Sequence, residues 1–240
     1  MLSNWMTENP TVVAPGTTVA DARARFDGFR HLAVSKAGLV GYLHASDLHE
    51  APDDAAVWEV GFHSPMTVPE DVSLDAALQR LRSSRHDALW VLDGEERLVG
   101  VFTEHDAARV AAERLDPSIL VDSVATAHPE VIGPNRTVAQ ARAALARLWV
   151  RHLPVVEDGA LLGVLSWRDL EGVSSGATVR DLCDPAPVTA RWNHSVREVA
   201  QQMVDRRIGA VPILDEDGAL SGIITRIDLI RAVLAVQEVS

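Results

Sequence analysis

Four aspartates of the chain each end a short phrase that begins with glycine and carries a hydroxyl or imidazole group three residues before the acid. The phrase reads glycine, two apolar residues, a polar residue, two variable residues and aspartate. Its four copies begin at Gly41, Gly100, Gly163 and Gly222. The glycines are 59, 63 and 59 residues apart. This regular spacing indicates four tandem repeats of about 60 residues.

The polar residues of each phrase suit contact with a ribonucleotide. A helix that starts at the aspartate presents free N–H groups and a partial positive charge to a phosphate, and the carboxylate can accept two ribose hydroxyls. The plainer interpretation is that the aspartate only caps the helix. Both interpretations stay open, because one carboxylate can do both. The candidate pairs are Thr103 with Asp106, Ser166 with Asp169, and Thr225 with Asp228. The first repeat departs from the pattern, since His44 replaces the hydroxyl residue before Asp47.

Each repeat is predicted to contain a strand, a helix, two strands that form a hairpin, and a second helix. In the third repeat, a short apolar strand at residues 131–132 precedes Thr137, which is a candidate helix N-cap. Residues 138–148 carry apolar side chains at helical spacing, and residues 152–166 have the pattern of a hairpin. The corresponding helix of the first repeat is shorter and is interrupted by Gly28.

The predicted fold is α/β (α+β), with the four repeats grouped in two modules. The sheet of one repeat has an apolar face with little to cover it, whereas two packed repeats can bury a core of about 120 residues. The modules are expected to span residues 1–116 and 117–240. Within them the repeats are expected at about residues 3–50, 57–115, 120–172 and 178–237.

Composition narrows the functional classes. A formal net charge of −12 argues against binding to a nucleic acid backbone. The single Cys183 argues against a disulfide framework or a thiolate zinc site. The N-terminus lacks a signal-peptide pattern, and no apolar run approaches the roughly 20 residues that cross a bilayer. We therefore expect a cytoplasmic protein without a membrane or nucleic acid partner.

Nine histidines raise the question of a metal site. His44 and His49 are five residues apart, unlike the i, i+4 histidine pair of a zinc protease helix. The sequence therefore predicts no metal-binding residues.

Taken together, these features resemble the CBS-domain family over about residues 3 to 236, with four tandem CBS motifs. The resemblance rests on the four glycine-to-aspartate phrases and on the strands Leu153-Pro154-Val155 and Val211-Pro212-Ile213. In that family, motifs pair in modules with a pseudo-twofold axis and two clefts. The clefts commonly bind adenosine nucleotides, and the modules often dimerise as flat discs. The resemblance therefore implies two CBS pairs, a regulatory nucleotide and a homodimer.

The resemblance also implies roles for individual residues. The signature aspartates would hold ribose with help from the hydroxyl residues, and His44 with Asp47 would form the least typical site, where His44 can still contact a phosphate. The implied phosphate ligands at the cleft edges are Arg151, His152, Arg168, Arg207 and Arg226, with Arg30 and His31 of the first repeat matching Arg151 and His152. The resemblance also places the short strands after Pro129 and Pro187, Val131 with Ile132 and Val188 with Thr189, beside the adenine. The second module is the better equipped.

The leading functional hypothesis is a non-catalytic sensor that binds AMP, ADP or ATP as a regulatory ligand, needs no catalytic cofactor and acts on a separate target protein. One alternative is another ligand on the same scaffold: S-adenosylmethionine, NAD, a cyclic dinucleotide or a divalent metal. Another is a scaffold or interaction protein with degenerate clefts.

An enzyme is disfavoured, since the chain shows no Ser-His-Asp pattern with a nucleophile elbow, no phosphate-loop glycine cluster and no paired catalytic carboxylates. Under the nucleotide hypothesis, replacing both Asp169 and Asp228 by alanine is expected to abolish binding and leave folding nearly intact.

Overall fold

The computed structural model describes residues 1–26, 31–84, 86–183 and 185–237. It divides into two compact units, Met1–Asp106 and Ala107–Ser240. Both units combine helices with β-sheets, which confirms the α/β class. The module border expected after residue 116 stays a prediction. Gly28 and Arg30, which entered the predictions for the first repeat, lie outside the described residues.

The first unit contains repeats 1 and 2, each with a helix between its first strand and its hairpin. In chain order, repeat 1 has a 3-10 helix Leu2–Asn4, β1 Thr7–Glu8, β2 Val12–Val13, α1 Val19–Arg23, β3 His31–Ser35, β4 Leu39–His44 and a 3-10 helix Ala45–Leu48. Repeat 2 has α2 Val57–Val60, β5 Thr67–Pro69, α3 Leu74–Ser83, β6 Ala88–Leu92, β7 Leu98–Thr103 and α4 Glu104–Arg114, which continues into the second unit.

The two repeats of the first unit exchange edge segments. β3 and β4 form an antiparallel hairpin with β2 parallel to β3, and β6 and β7 form the equivalent hairpin with β5 parallel to β6. β1 crosses from repeat 1 to pair with β7, where Thr7 faces Val101. In return, His63 of repeat 2 forms a bridge with Tyr42 of β4. Each repeat thus completes the sheet of the other.

The second unit repeats this design. Repeat 3 has a 3-10 helix Val121–Ser123, β8 Thr126–Ala127, α5 Val138–Leu148, β9 His152–Glu157, β10 Ala160–Ser166 and a 3-10 helix Arg168–Leu170. Repeat 4 has a 3-10 helix Val179–Asp181, α6 Val196–Asp205, β11 Ala210–Leu214, β12 Leu220–Thr225 and α7 Arg226–Gln237. β8 crosses to repeat 4, where Thr126 faces Ile223 of β12.

Thr137 begins α5 as the sequence predicts. Its Oγ1 accepts a hydrogen bond from the Gln140 backbone N–H at 3.3 Å, and its own N–H donates to Gln140 Oε1 at 3.0 Å. This reciprocal pair satisfies two N–H groups that the helix itself leaves without partners. Val138, Ala141 and Leu145 form the buried face of α5. The apolar residues that recur at helical spacing are therefore the ones that pack against the rest of the unit.

The helix expected after each glycine-to-aspartate phrase forms in repeats 2 and 4, as α4 and α7. In repeats 1 and 3 it is a single 3-10 turn. Pro52 follows the first turn and Gly172, with a φ of 64°, follows the second. Both residue types end helices, proline by removing an N–H and glycine by adopting the left-handed conformation.

The strands predicted at residues 131–132 and 188–189 are reduced to single bridges. Ile132 pairs in parallel with Val155, and Ala190 rather than Val188 or Thr189 pairs with Ile213. Pro134 supplies no N–H to extend the first ladder.

The paired repeats share a buried core. In the first unit, Ala33 and Tyr42 of repeat 1 pack with Ala88, Trp90 and Val101 of repeat 2. Among the described residues, no helix has the length and apolar character needed to cross a bilayer.

Candidate functional site

The hydroxyl residue and the aspartate of each complete phrase are hydrogen-bonded to each other. One carboxylate oxygen, Oδ2, accepts from both the side chain and the backbone N–H of the hydroxyl residue. The side-chain bonds are 2.8 Å for Thr103 with Asp106, 2.7 Å for Ser166 with Asp169 and 2.7 Å for Thr225 with Asp228. The backbone bonds are 2.9, 2.6 and 2.9 Å. These aspartates therefore tie the end of a strand to the start of a helix or turn, as the capping interpretation predicts.

The signature aspartates differ in exposure. Asp106 and Asp228 are only 4% and 3% exposed, and Asp228 Oδ1 also accepts from Arg231 Nη1 at 3.0 Å. Asp169 is half-buried, and among the described residues its Oδ1 has no hydrogen-bond partner. Asp169 is thus the aspartate of the second unit whose second oxygen is available to a ligand hydroxyl.

Positive charge converges between repeats 3 and 4. His152 at the start of β9 packs against Gly209, where a methyl group would lie 2.6 Å from the ring atoms Nε2 and Cε1. Burial, together with the charges of Arg226 and Arg151, lowers the pKa of His152 to about 4. The imidazole is therefore neutral near pH 7 and stands in a positive field, which favours an anionic ligand.

The remaining predicted residues of the second unit differ in exposure. Arg168 lies exposed on the 3-10 turn after β10, and Arg207 is exposed with a left-handed φ of 54°. Ile132 is buried, whereas Val131 is 48% exposed. Val188 and Thr189 are half-buried beside the bridge at Ala190.

The first unit holds a cluster of histidines and acids that come from separate parts of the sequence. His31 Nε2 lies 2.9 Å from Asp87 Oδ1, and His63 Nε2 lies 3.0 Å from Asp47 Oδ2. His44 stands between the two pairs, with ring centroids 4.8 Å from His31 and 5.2 Å from His63. The Asp47 carboxylate also accepts the His44 backbone N–H at 2.7 Å.

The aromatic rings of Tyr42 and Trp90 pack against this histidine cluster. The Tyr42 ring centroid lies 5.2 Å from that of His44, 5.3 Å from that of His63 and 5.6 Å from that of Trp90. Burial lowers the pKa of His44. The charge of Asp87 raises this pKa in part, and His31 lowers it further. The repeat alignment already matched His31 with His152, but Asp87 is 56 residues away along the chain and only the pairing of the repeats brings it close.

Two cavities lie elsewhere in the second unit. A cavity of about 680 Å³ is lined by residues 133–137, Gln140 and residues 156–158, at the end of β9 opposite His152. A smaller one of about 280 Å³ lies against Arg114, Leu115 and α7. Neither cavity is lined by residues of a glycine-to-aspartate phrase. The positive charges near His152 make that region the better candidate for binding an anion.

The CBS domain model matches the chain four times, at residues 2–54, 57–113, 121–175 and 179–235. The chain therefore belongs to the CBS domain family, and its four repeats are four CBS domains.

Known proteins of similar sequence and fold agree with this assignment. The uncharacterised protein MJ1225 of Methanocaldococcus jannaschii is 23% identical over 214 residues, which are 82% of this chain and 76% of that protein. The crystal structure of MJ1225, a proposed archaeal homologue of γ-AMPK, has a TM-score of 0.79 at 22% identity and covers 93% of this chain and 95% of that chain.

Two further matches broaden the comparison. The crystal structure of an uncharacterised conserved protein from Pyrococcus horikoshii has a TM-score of 0.68 at 22% identity, and covers 95% of this chain and 97% of that chain. Inosine-5'-monophosphate dehydrogenase of Thermoplasma acidophilum is 30% identical over 168 residues, which are 70% of this chain and 31% of that enzyme. This chain therefore resembles only a minor part of that enzyme.

Proposed function

We propose that this protein is a non-catalytic regulator that binds an adenine nucleotide, AMP, ADP or ATP, between repeats 3 and 4. The observation that carries the proposal is the convergence of Arg151 and Arg226 on His152, beside Gly209. Two guanidinium charges next to a partly desolvated imidazole create a field that a phosphate group would neutralise. Guanidinium groups also match phosphate oxygens in geometry, which adds to their affinity for phosphate.

The neighbouring residues suit the rest of a nucleotide. Ser166 lies opposite His152 in the β9–β10 register, so Asp169, three residues later, belongs to the same end of the sheet. Its open carboxylate oxygen suits the hydroxyls of a ribose. Val131 with Ile132, and Val188 with Thr189, would flank the base. These placements follow the roles that the family resemblance implies.

Charge separates the candidate ligands. AMP, ADP, ATP, NAD and cyclic dinucleotides all bring phosphate to the two arginines, whereas S-adenosylmethionine brings a sulfonium cation that they would repel. A scaffold role with degenerate clefts draws support from Asp106 and Asp228, whose carboxylates are closed off by their own repeats. We place the regulatory ligand in the second unit because Asp169 there keeps a carboxylate oxygen without a partner among the described residues.

Ligand binding would regulate the target by changing the arrangement of the paired repeats. A nucleotide held by two repeats would stabilise their paired arrangement over looser ones, because a ligand shifts a conformational equilibrium by its difference in affinity for the two states. The output would act on a separate target protein in the cytoplasm, with the chain working as a homodimer.

Calorimetric titration of the full chain with AMP, ADP and ATP tests the proposal. We expect Arg226→Met, which keeps length and apolar volume, to weaken binding by about 10-fold to 100-fold, as loss of a charge-assisted hydrogen bond predicts. The matched control is Arg206→Met, since Arg206 is an exposed arginine of the same repeat, and it should bind as the original chain does. Folded protein that binds no nucleotide below millimolar concentration, or equal affinity in the two variants, would overturn the proposal.

A further inference from the structure

The two units carry opposite charges at matching positions. In the register of the hairpins, His31 faces His44 as His152 faces Ser166, so His31 corresponds to His152. The Glu104 N–H donates to the Asp87 carbonyl as the Arg226 N–H donates to the Gly209 carbonyl. Asp87 therefore corresponds to Gly209 and Glu104 to Arg226.

These replacements make the first unit a poor site for phosphate. Where the second unit has glycine and arginine, the first unit has aspartate and a buried glutamate, and Glu104 is 7% exposed. Asp47 adds a third carboxylate, 3.0 Å from His63. An anion placed beside His31 would face Asp87 directly, whereas a cation would be stabilised there.

We propose that His31, His44 and Asp87 form a binding site for a divalent transition-metal ion of the zinc class. One ligand atom of each residue lies within 4.8 Å of those of the other two. In a tetrahedral site such atoms are about 3.3 Å apart, since metal–ligand bonds are about 2.0–2.1 Å long. The His31 Nε2–Asp87 Oδ1 distance of 2.9 Å is a few tenths of an ångström shorter than this and needs to open slightly, and His44 needs to approach by an ångström or so.

The ligand types select the class of metal. Two imidazole nitrogens and one carboxylate suit zinc, cobalt, nickel or copper, whereas magnesium and calcium prefer oxygen ligands alone. Three protein ligands leave a fourth position for water or an exogenous group. His44 stands where the other three repeats have serine or threonine, so the substitution that spoils the nucleotide phrase supplies a metal ligand.

Neighbouring side chains bury and orient the three ligand residues. The His31 side chain is 8% exposed and the Asp87 side chain 28% exposed, so the ligands are partly desolvated and still open on one side. The aromatic rings of Tyr42 and Trp90 pack against His31, with centroids 5.9 and 6.4 Å from its own. Because these ligands come from both repeats of the unit, the ion would join repeat 1 to repeat 2.

Titration of the full chain with Co²⁺ and Zn²⁺ tests the site. We expect stoichiometric binding, and the visible absorption of bound Co²⁺ should be that of an ion with few ligands. Zn²⁺ should raise the melting temperature, because an ion that binds only the folded state stabilises it. His44→Thr introduces the residue that repeats 2 and 4 carry at this position, and Asp87→Gly introduces the residue that repeat 4 carries. Each should lower metal affinity by about tenfold or more and remove the Zn²⁺ effect on melting.

His128→Gln and His194→Gln are the matched controls, since both histidines are exposed in the second unit, and both should keep the metal response. If Asp87→Gly does not fold, His44→Thr decides the question by itself. Absence of specific binding by the original chain, or an unchanged metal response in His44→Thr, would overturn the proposal. Nucleotide binding by the second unit is measured separately, so either proposal can fail without the other.

Discussion

His152 and Gly209 are in contact across the boundary between repeats 3 and 4, and the absence of a side chain at Gly209 makes room for the imidazole. Gly209→Ala would place a methyl group 2.6 Å from the ring, so we expect a loss of about 1–3 kcal/mol in the free energy of unfolding, as overpacking usually costs. Chemical denaturation measures it. Gly133→Ala is the control, because a methyl group there meets no atom within 4 Å; equal stability of the two variants would contradict the contact.

Acid should weaken the protein through His152. Its pKa is about 4 when folded, against an ordinary value of 6.5, so the unfolded chain takes up a proton more readily. Stability is therefore fully present above about pH 6.5 and falls as the pH drops towards 4, by at most about 3 kcal/mol. Unfolding curves between pH 7 and 4 for the original chain and His152→Gln measure this loss. A variant with the same pH slope would show that another group is responsible.

The signature aspartates should separate by their structural role. Asp228→Ala removes the acceptor of two bonds from Thr225 at the start of a full helix, and we expect a cost of about 0.5–2 kcal/mol, as for other lost caps. Asp169→Ala should cost less, because Asp169 lies in a single 3-10 turn rather than at the start of a full helix. Thermal unfolding compares them, with Asp228→Asn as the control that keeps an acceptor oxygen. Equal loss for both alanine variants would refute the distinction.

The glycines that begin the phrases should differ in how well they tolerate substitution by alanine, because different side chains cover them. A methyl group at Gly222 would lie 2.6 Å from the ring of Trp192, whose Nε1 donates to Ser221 Oγ at 2.9 Å. At Gly100 it would meet the flexible side chain of Met6 at 2.4 Å. We therefore expect Gly222→Ala to destabilise its unit more than Gly100→Ala destabilises the other. Denaturant titration gives the order, and the reverse order would show that Trp192 can move aside.

The sequence predicted the regular parts of this fold well. The spacing of the four phrases gave the number of repeats, and the family model matches each of them. Thr137 and the apolar residues after it predicted α5, because a cap and a helical period depend on residues three or four apart. The turns after Asp47 and Asp169 were wrongly predicted as helices, although Pro52 and Gly172 are the residues that end them.

By itself, then, the sequence determined the repeat, the cap and buried face of α5, and the hairpins that follow the first helices, since all of these involve neighbours along the chain. Tertiary structure alone decided that Asp87 meets His31, that Gly209 makes room for His152, and that Asp228 is closed to solvent while Asp169 is not. The physical reason is that His31 and His152 contact residues of the partner repeat, more than 50 residues away along the chain, and that the exposure of an aspartate depends on how its element packs. No local pattern encodes which residues two packed repeats bring together.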